Sequence, residues 1–135
     1  MTKHKRTDNC LICNTPIFAK KATRLCIKCY REKCDNEKLK HWKETGDTGC
    51  KVSTTIRSVI RTYILNKQNC RCAICETKNQ WLGKPLNFVL DHIDGNASNN
   101  FESNLRLICP NCDSQLDTFK SKNKNSARNH RKQYN

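Results

Sequence analysis

The chain has 135 residues, of which 36% are hydrophobic and 11 are cysteines. So thin an apolar core excludes a fold held by hydrophobic burial alone, because each ordered residue costs roughly 1.5 kcal/mol of conformational entropy. The 26 Lys and Arg against 12 Asp and Glu give a formal charge of +14, which makes nucleic acid the default partner; a merely soluble basic surface is the alternative.

The expected environment is the reducing interior of a cell. The N-terminal residues MTKHKRTDNC lack the apolar run of a secretory signal, and no stretch approaches the roughly 20 apolar residues of a membrane span. We therefore expect a cytoplasmic protein without membrane contact. In that compartment, cysteines in C-x-x-C pairs are more often metal ligands than disulfide partners, and an odd number of cysteines argues against a complete disulfide framework. Zinc is the expected metal.

The first predicted element is a small metal-binding unit over residues 1–34. In CLICNTPIFAKKATRLCIKC, two C-x-x-C pairs supply the four thiolates of a tetrahedral zinc site, and the residues between them suffice for a hairpin from TPIFAK to TRLC. This spacing predicts a zinc ribbon or treble-clef unit with the ligands Cys10, Cys13, Cys26 and Cys29. Its basic residues could dock on phosphates, or the unit could be purely structural.

A linker and an amphipathic helix are predicted next. Residues 35–52 begin as a helical turn and run into TGDTG, a cluster of helix breakers. In STTIRSVIRTYILNKQ, apolar residues recur at helical spacing behind a Ser/Thr N-cap signal, which predicts a helix over 53–67. Core packing explains the apolar stripe, and Arg57 and Arg61 are expected on a solvated outer face.

A second metal-binding unit is predicted from CAIC and CPNC, which supply the zinc ligands Cys72, Cys75, Cys109 and Cys112. The long insertion between these pairs is too large for a ribbon loop, so this zinc is expected to clamp the ends of an inserted structure. Three cysteines remain and are expected to be small buried or free thiols, namely Cys34, Cys50 and Cys70.

The inserted structure contains LDHIDGN at residues 90–96. On its own, His92 could be a polar residue at a strand end before an ordinary turn. Asp91 is a hard oxygen ligand suited to Mg²⁺ or Mn²⁺, and a bend at the Asp94-Gly95 turn would let it share a site with His92 despite strand alternation. Asp113 follows Cys112 in the first turn of a predicted helix, where a carboxylate is also favoured by the helix dipole alone.

Residues 53–122 resemble the HNH endonuclease family, specifically its zinc-clamped members. The resemblance rests on the order of several motifs: the WLGKP lead-in, the Asp-His pair, the Asn-rich loop, NLR and the closing C-x-x-C. It implies a small, zinc-stabilised α+β fold with a ββα-metal (His-Me finger) nuclease motif. In that motif, a hairpin of residues 86–92 and 105–108 packs on a short helix over 111–119.

The resemblance also implies roles for four residues. His92 takes the first HNH position as general base, Asn104 takes the second and orients the loop that bears the histidine, and Asp113 takes the third. Asp113 departs from the family, which commonly has His or Asn there; together with Asp91 it is expected to hold the catalytic Mg²⁺ or Mn²⁺. The neighbouring asparagines of the loop, Asn96, Asn99 and Asn100, are interpreted as turn-forming residues.

The C-terminal residues 123–135 form a basic tail without acidic residues, expected either to contact DNA or to act as a solubilising segment. The sequence as a whole predicts a metal-dependent DNA endonuclease with two structural zinc ions. Phage DNA processing, mobile-element homing and restriction all suit such an enzyme. The alternative is a non-catalytic two-zinc nucleic-acid-binding protein, and a C-x-x-C redox protein is a more distant third.

Overall fold

The chain divides into two compact units, Met1–Lys38 and Leu39–Asn135. The computed structural model describes residues 8–17, 23–50 and 56–124 of the chain. Of Ser121, only the backbone is described. Most of the predicted tail therefore lies outside the described residues. None of the described helices is long and apolar enough to cross a membrane.

The first unit is a small metal-ligand fold. Strand β1 (Asp8–Asn9) pairs antiparallel with β2 (Pro16–Ile17), and the first C-x-x-C pair lies in the turn between them. The hairpin predicted from TPIFAK to TRLC falls partly on residues 18–22, outside the described residues; the described Pro16–Ile17 segment pairs with β1 instead. The buried core consists of Cys10, Ile17, Leu25 and Cys29. Two of these four side chains are thiols, so hydrophobic burial contributes little to this unit.

Helix α1 (Ile27–Thr45) differs from the linker predicted over residues 35–52. No proline or glycine interrupts the chain between Cys26 and Gly46, so the helix continues until Gly46, whose positive φ of 73° ends it. Trp42, in the final turns, is fully buried in the core of the second unit. The domain boundaries predicted after residues 34, 52 and 122 remain predictions.

The core of the second unit packs Trp42 of α1 and the buried cysteines Cys72, Cys109 and Cys112 against one further helix and one hairpin. The structure confirms the predicted amphipathic helix from Ser58 onward: α2 spans Ser58–Lys67 and buries Ile60 and Ile64, whereas residues 53–55 lie outside the described residues. Arg57 is exposed, as expected, and Arg61 is half-buried; the guanidinium groups of both also bind backbone carbonyls. Arg57 donates to Thr48 and Gly49, and Arg61 donates to Phe88.

Two antiparallel hairpins and a short helix complete this unit. Strands β3 (Gln80–Trp81) and β4 (Lys84–Pro85) form the first hairpin. The second joins β5 (Val89–His92) to β6 (Leu105–Ile108), with Asp91 opposite Arg106 and His92 opposite Leu105. Strand β5 starts later than the predicted residue 86, because the Leu86 N–H donates to the Asn79 carbonyl and so extends the first hairpin.

Helix α3 (Pro110–Gln115) directly follows β6 and Cys109. It is shorter than the predicted 111–119, because the backbone turns extended at Leu116, with φ −70° and ψ 145°. Asp117 and Thr118 follow, and both residue types have low helix propensity. The short helix therefore places Cys112 and Asp113 beside the end of the hairpin.

The structure confirms that the predicted zinc ligands converge in two clusters. Within each four-cysteine cluster the sulfur atoms lie within 4.8 Å of one another. Neighbouring sulfurs are 3.5 Å apart between Cys13 and Cys26 and 3.6 Å apart between Cys75 and Cys109. Zn–S bonds of about 2.3 Å in a tetrahedron give sulfur separations of about 3.8 Å, so both clusters fit a zinc ion.

Within each cluster, the pKa of one thiol is lowered and that of another is raised. Hydrogen bonds from backbone N–H groups, first that of Cys13, lower the pKa of Cys10 to about 6, and hydrogen bonds from Thr77 lower the pKa of Cys75 to about 6. Hydrogen bonding with Cys13 raises the pKa of Cys29 to about 12, and burial raises that of Cys112 to about 12. Four thiols this close cannot all ionise together without a bound cation.

Cys109→Ser should lower the zinc content from two ions per chain to one and abolish cooperative unfolding of the second unit. The reason is that Cys109 closes a four-thiolate site that joins segments far apart in sequence. Elemental analysis and circular dichroism during urea unfolding measure both effects. Cys70→Ser is the matched control, because Cys70 belongs to neither cluster, and it should keep two zinc ions. A Cys109→Ser protein with two zinc ions would contradict the clamp.

Candidate active site

A cavity of about 310 Å³ opens at the end of strand β5. Asp91 and His92 line it from the strand, Asp113 lines it from α3, and Lys120 lines it from the segment after that helix. Three of the four residues predicted from the sequence are therefore brought to one cavity. The fourth, Asn104, lies in the loop behind His92.

The end of β5 explains how two adjacent residues reach the same cavity. Alternation along a strand would direct Asp91 and His92 to opposite faces. The strand ends at His92, and the Gly95 N–H donates to the His92 carbonyl at 2.7 Å in a turn. Gly95 has φ of 74°, a conformation that glycine adopts without the strain other residues incur. The expected bend is thus present.

Asp91 is a buried carboxylate, with 7% of its surface exposed. Its Oδ2 accepts a hydrogen bond at 2.6 Å from Nε of Arg106, the residue opposite it on β6. This ion pair offsets part of the cost of burying the charge. Arg106 is the arginine of the NLR motif, but that motif alone did not predict its ion pair with Asp91.

Asp113 brings a second carboxylate to the cavity. Burial raises its pKa, and the negative charge of Asp91 raises it further, while Lys120 acts in the opposite direction. A first-turn carboxylate stabilised by the helix dipole alone would show a lowered pKa. Burial is the main cause of this raised pKa and the nearby Asp91 adds to it; a divalent cation between the two carboxylates would favour their charged forms.

Asn104 is buried and holds the loop between β5 and β6. Its Nδ2 donates to Oδ1 of Asp94 at 2.9 Å and to the carbonyl of Asn99 at 2.8 Å, and its Oδ1 accepts from the Asp94 N–H at 3.1 Å. Burial works to raise the pKa of Asp94, but hydrogen bonds from Asn96, Asn99 and Asn104 outweigh it and lower the pKa. The side-chain amide of Asn104 therefore holds together the part of the loop around Asp94 and the part around Asn99.

Asn100, interpreted from sequence as a turn residue, contacts the central histidine. It is buried, and its Oδ1 lies 3.0 Å from Nε2 of His92. Because an amide oxygen only accepts, this contact favours the neutral tautomer with the hydrogen on Nε2 and the lone pair on Nδ1. The indole N–H of Trp42 donates to the Asn100 carbonyl at 2.7 Å in a buried contact. A run of asparagines after His92 was the only sequence signal for this contact.

Comparison with known proteins finds a partial similarity to an endonuclease. The chain is 43% identical over 53 residues to the H-N-H endonuclease F-TflIV of Escherichia phage T5. The matched region is 39% of this chain and 23% of that protein, so the chain spans less than a quarter of its relative's length. No protein-family model and no solved structure matches the chain. The partial similarity supports a relationship with the HNH endonucleases.

Asn104→Ala should lower the free energy of unfolding by about 1–3 kcal/mol, because it leaves the loop carbonyl of Asn99 and the Asp94 N–H without their buried partner. Urea unfolding of the zinc-loaded protein measures this difference. Asn111→Ala, at an exposed asparagine of α3, is the control and should change stability far less. Equal stability of the two variants would show that the Asn104 bonds do not hold the loop.

Proposed function

We propose that this protein is a metal-dependent endonuclease of the HNH type that hydrolyses phosphodiester bonds in DNA. One observation carries the proposal: Asp91, His92 and Asp113 line a single cavity. A base beside a pair of oxygen ligands is the combination that phosphodiester hydrolysis requires. The partial similarity to an H-N-H endonuclease supports the same reaction class.

Asp91 and Asp113 would hold one Mg²⁺ or Mn²⁺, which would stabilise the negative charge that develops on the phosphate and on the leaving group. His92 removes a proton from the attacking water through Nδ1, the ring nitrogen that keeps its lone pair. The new bond forms between the water oxygen and phosphorus, and the bond from phosphorus to the 3′ oxygen breaks. The products are a 5′ phosphate and a 3′ hydroxyl, which takes its proton from solvent.

Asn100 and Asn104 act as positioning residues in this scheme. The contact between Asn100 and Nε2 selects the histidine tautomer whose lone pair lies on Nδ1. Trp42 holds the backbone of Asn100, so the end of helix α1 supports the base indirectly. Asn104 fixes the loop that follows His92, as the resemblance to the family implies.

DNA is the proposed substrate because the chain carries a formal charge of +14. The first zinc unit and the basic tail would add affinity through phosphate contacts without taking part in the chemical step. C-x-x-C clusters that could hold zinc suit a reducing compartment, so a cytoplasmic location is proposed. A phage or mobile-element role is proposed by analogy with the origin of the partial relative.

A non-catalytic two-zinc nucleic-acid-binding protein is the second candidate. The ion pair between Arg106 and Asp91 favours it, because one of the two carboxylates already has a cationic partner. In the nuclease proposal, Arg106 shares Asp91 with the metal or turns to the substrate phosphate. The two functions differ in whether His92 matters for anything other than folding.

His92→Ala should lower the rate of plasmid cleavage in Mg²⁺ or Mn²⁺ by roughly 10²- to 10⁴-fold, the usual contribution of a general base. DNA affinity and zinc content should stay close to wild type, because His92 contacts neither cysteine cluster. His41→Ala is the matched control, since His41 is exposed on α1 and lies outside the cavity. A His92→Ala protein that cleaves as fast as wild type would leave only the binding function.

Asp113→Ala should raise the Mg²⁺ concentration needed for half-maximal cleavage, because it removes a proposed metal ligand and not the base. The titration is compared with that of Asp117→Ala, which removes an exposed carboxylate shortly beyond the same helix. A shift for Asp113→Ala alone is the expected result. Identical Mg²⁺ titrations of Asp113→Ala and wild type would remove Asp113 from the metal site.

A further inference from the structure

The β3–β4 hairpin presents two large apolar side chains to solvent. Trp81 is 64% exposed and Leu82 is 85% exposed, the highest value among the large hydrophobic residues that are described. They belong to the WLGKP motif, which has no part in the cavity that holds His92. Exposure of adjacent large hydrophobics at a tip is typical of a binding surface.

The backbone conformation of this turn is energetically unfavourable for Leu82. Leu82 and Gly83 connect the strands with positive φ values of 48° and 74°, the pattern of a type I′ turn. Asn, Asp or Gly is favoured at the first of these positions, and a left-handed conformation costs a residue such as leucine about 1–2 kcal/mol. Leu82 is thus both strained and exposed. Neither property benefits the folded state, which points to a role in binding.

The charges around the tip select the class of partner. Residues 77–87 include Lys78 and Lys84 and contain no carboxylate. Lys84 lies opposite Trp81 in the hairpin register, so one cation flanks the apolar tip directly. A polyanion with an apolar interior, such as duplex DNA, complements this combination. A purely apolar protein partner would gain nothing from the two lysines.

The hairpin also adjoins the helix that reaches the candidate active site. Trp81 and Leu86 line a groove of about 420 Å³ together with Pro110 and Asn111, the first two residues of α3. The same helix carries Asp113 in the catalytic cavity. DNA bound at that cavity would therefore pass close to the hairpin.

We propose that the Trp81–Lys84 turn is a DNA wedge, in which Leu82 enters the minor groove and the flanking lysines contact phosphates. The proposal rests on the proposed function, which supplies the duplex. The leucine side chain has no hydrogen-bonding group with which to read the major groove, and glycine has no side chain, whereas apolar side chains enter the minor groove and partly unstack a base step. The wedge would kink the duplex towards its major groove, away from the inserted leucine.

Leu82→Asn tests the wedge without weakening the hairpin, because asparagine is better suited than leucine to this turn. Affinity for a fluorescein-labelled duplex is measured by anisotropy, on zinc-loaded full-length protein without added Mg²⁺, so that no cleavage is needed. Affinity should fall about tenfold or more for Leu82→Asn, because a buried leucine is lost from the interface. Leu82→Met, which keeps an apolar side chain, should bind like wild type.

Acrylamide quenching provides a second readout on the wild-type protein. The chain has two tryptophans, and Trp42 is fully buried, so acrylamide reports chiefly on Trp81. Duplex DNA should protect Trp81 from the quencher. Lys84→Gln should reduce the slope of log affinity against log salt by about 0.9, the value for one lost phosphate contact.

The outcomes separate this inference from the proposed function. If wild type binds duplex but Leu82→Asn binds equally well and Trp81 stays accessible, the wedge is wrong and the nuclease proposal stands. If wild type binds no duplex, both fail. If Leu82→Asn instead changes only the molar mass in light scattering, the tip pairs two copies of the chain and the wedge is overturned.

Discussion

The second four-cysteine cluster is the constraint on which the rest of the larger unit depends. It joins the Cys72–Cys75 turn to the segment around helix α3, with the Cys109 N–H donating to the sulfur of Cys72 at 3.2 Å. Strand β6 ends at Ile108, immediately before the cluster ligand Cys109. Asp113 immediately follows the next cluster ligand, Cys112. Asp113 is therefore adjacent to a cluster ligand, and the strand that carries Asp91 and His92 is paired with the strand that ends at the cluster.

The candidate site also draws on residues that never reach the cavity. Trp42 donates to Asn100 across 58 residues of sequence, and Asn100 in turn contacts His92. On the other side of the hairpin, Arg106 pairs with Asp91. Both predicted reactive residues of LDHIDGN thus have a polar partner, half-buried Arg106 for Asp91 and buried Asn100 for His92, which restricts their side-chain rotation. Such preorganisation is what a catalytic pair needs and what a binding module has little reason to maintain.

Local patterns in the sequence predicted the features that depend on local geometry. The C-x-x-C spacings predicted both clusters, and the apolar stripe predicted helix α2 from Ser58 onward. Contacts between distant segments could not be predicted in this way. The role of Asn100 depends on Trp42, in a segment interpreted as a linker because it runs into the helix breakers TGDTG. The partner of Asp91 depends on the exact strand register, which one sequence does not determine.

Incubation of the wild-type, zinc-loaded protein with supercoiled plasmid tests the central claim most directly. Asp91, His92 and Asp113 line one cavity, and the proposal is that they form one cation-dependent hydrolytic site. With Mg²⁺ or Mn²⁺, the account predicts conversion of supercoiled plasmid to relaxed or linear DNA bearing 5′ phosphates, and no conversion without added ion. Plasmid that stays supercoiled with every divalent cation, while the protein binds it, would contradict the account.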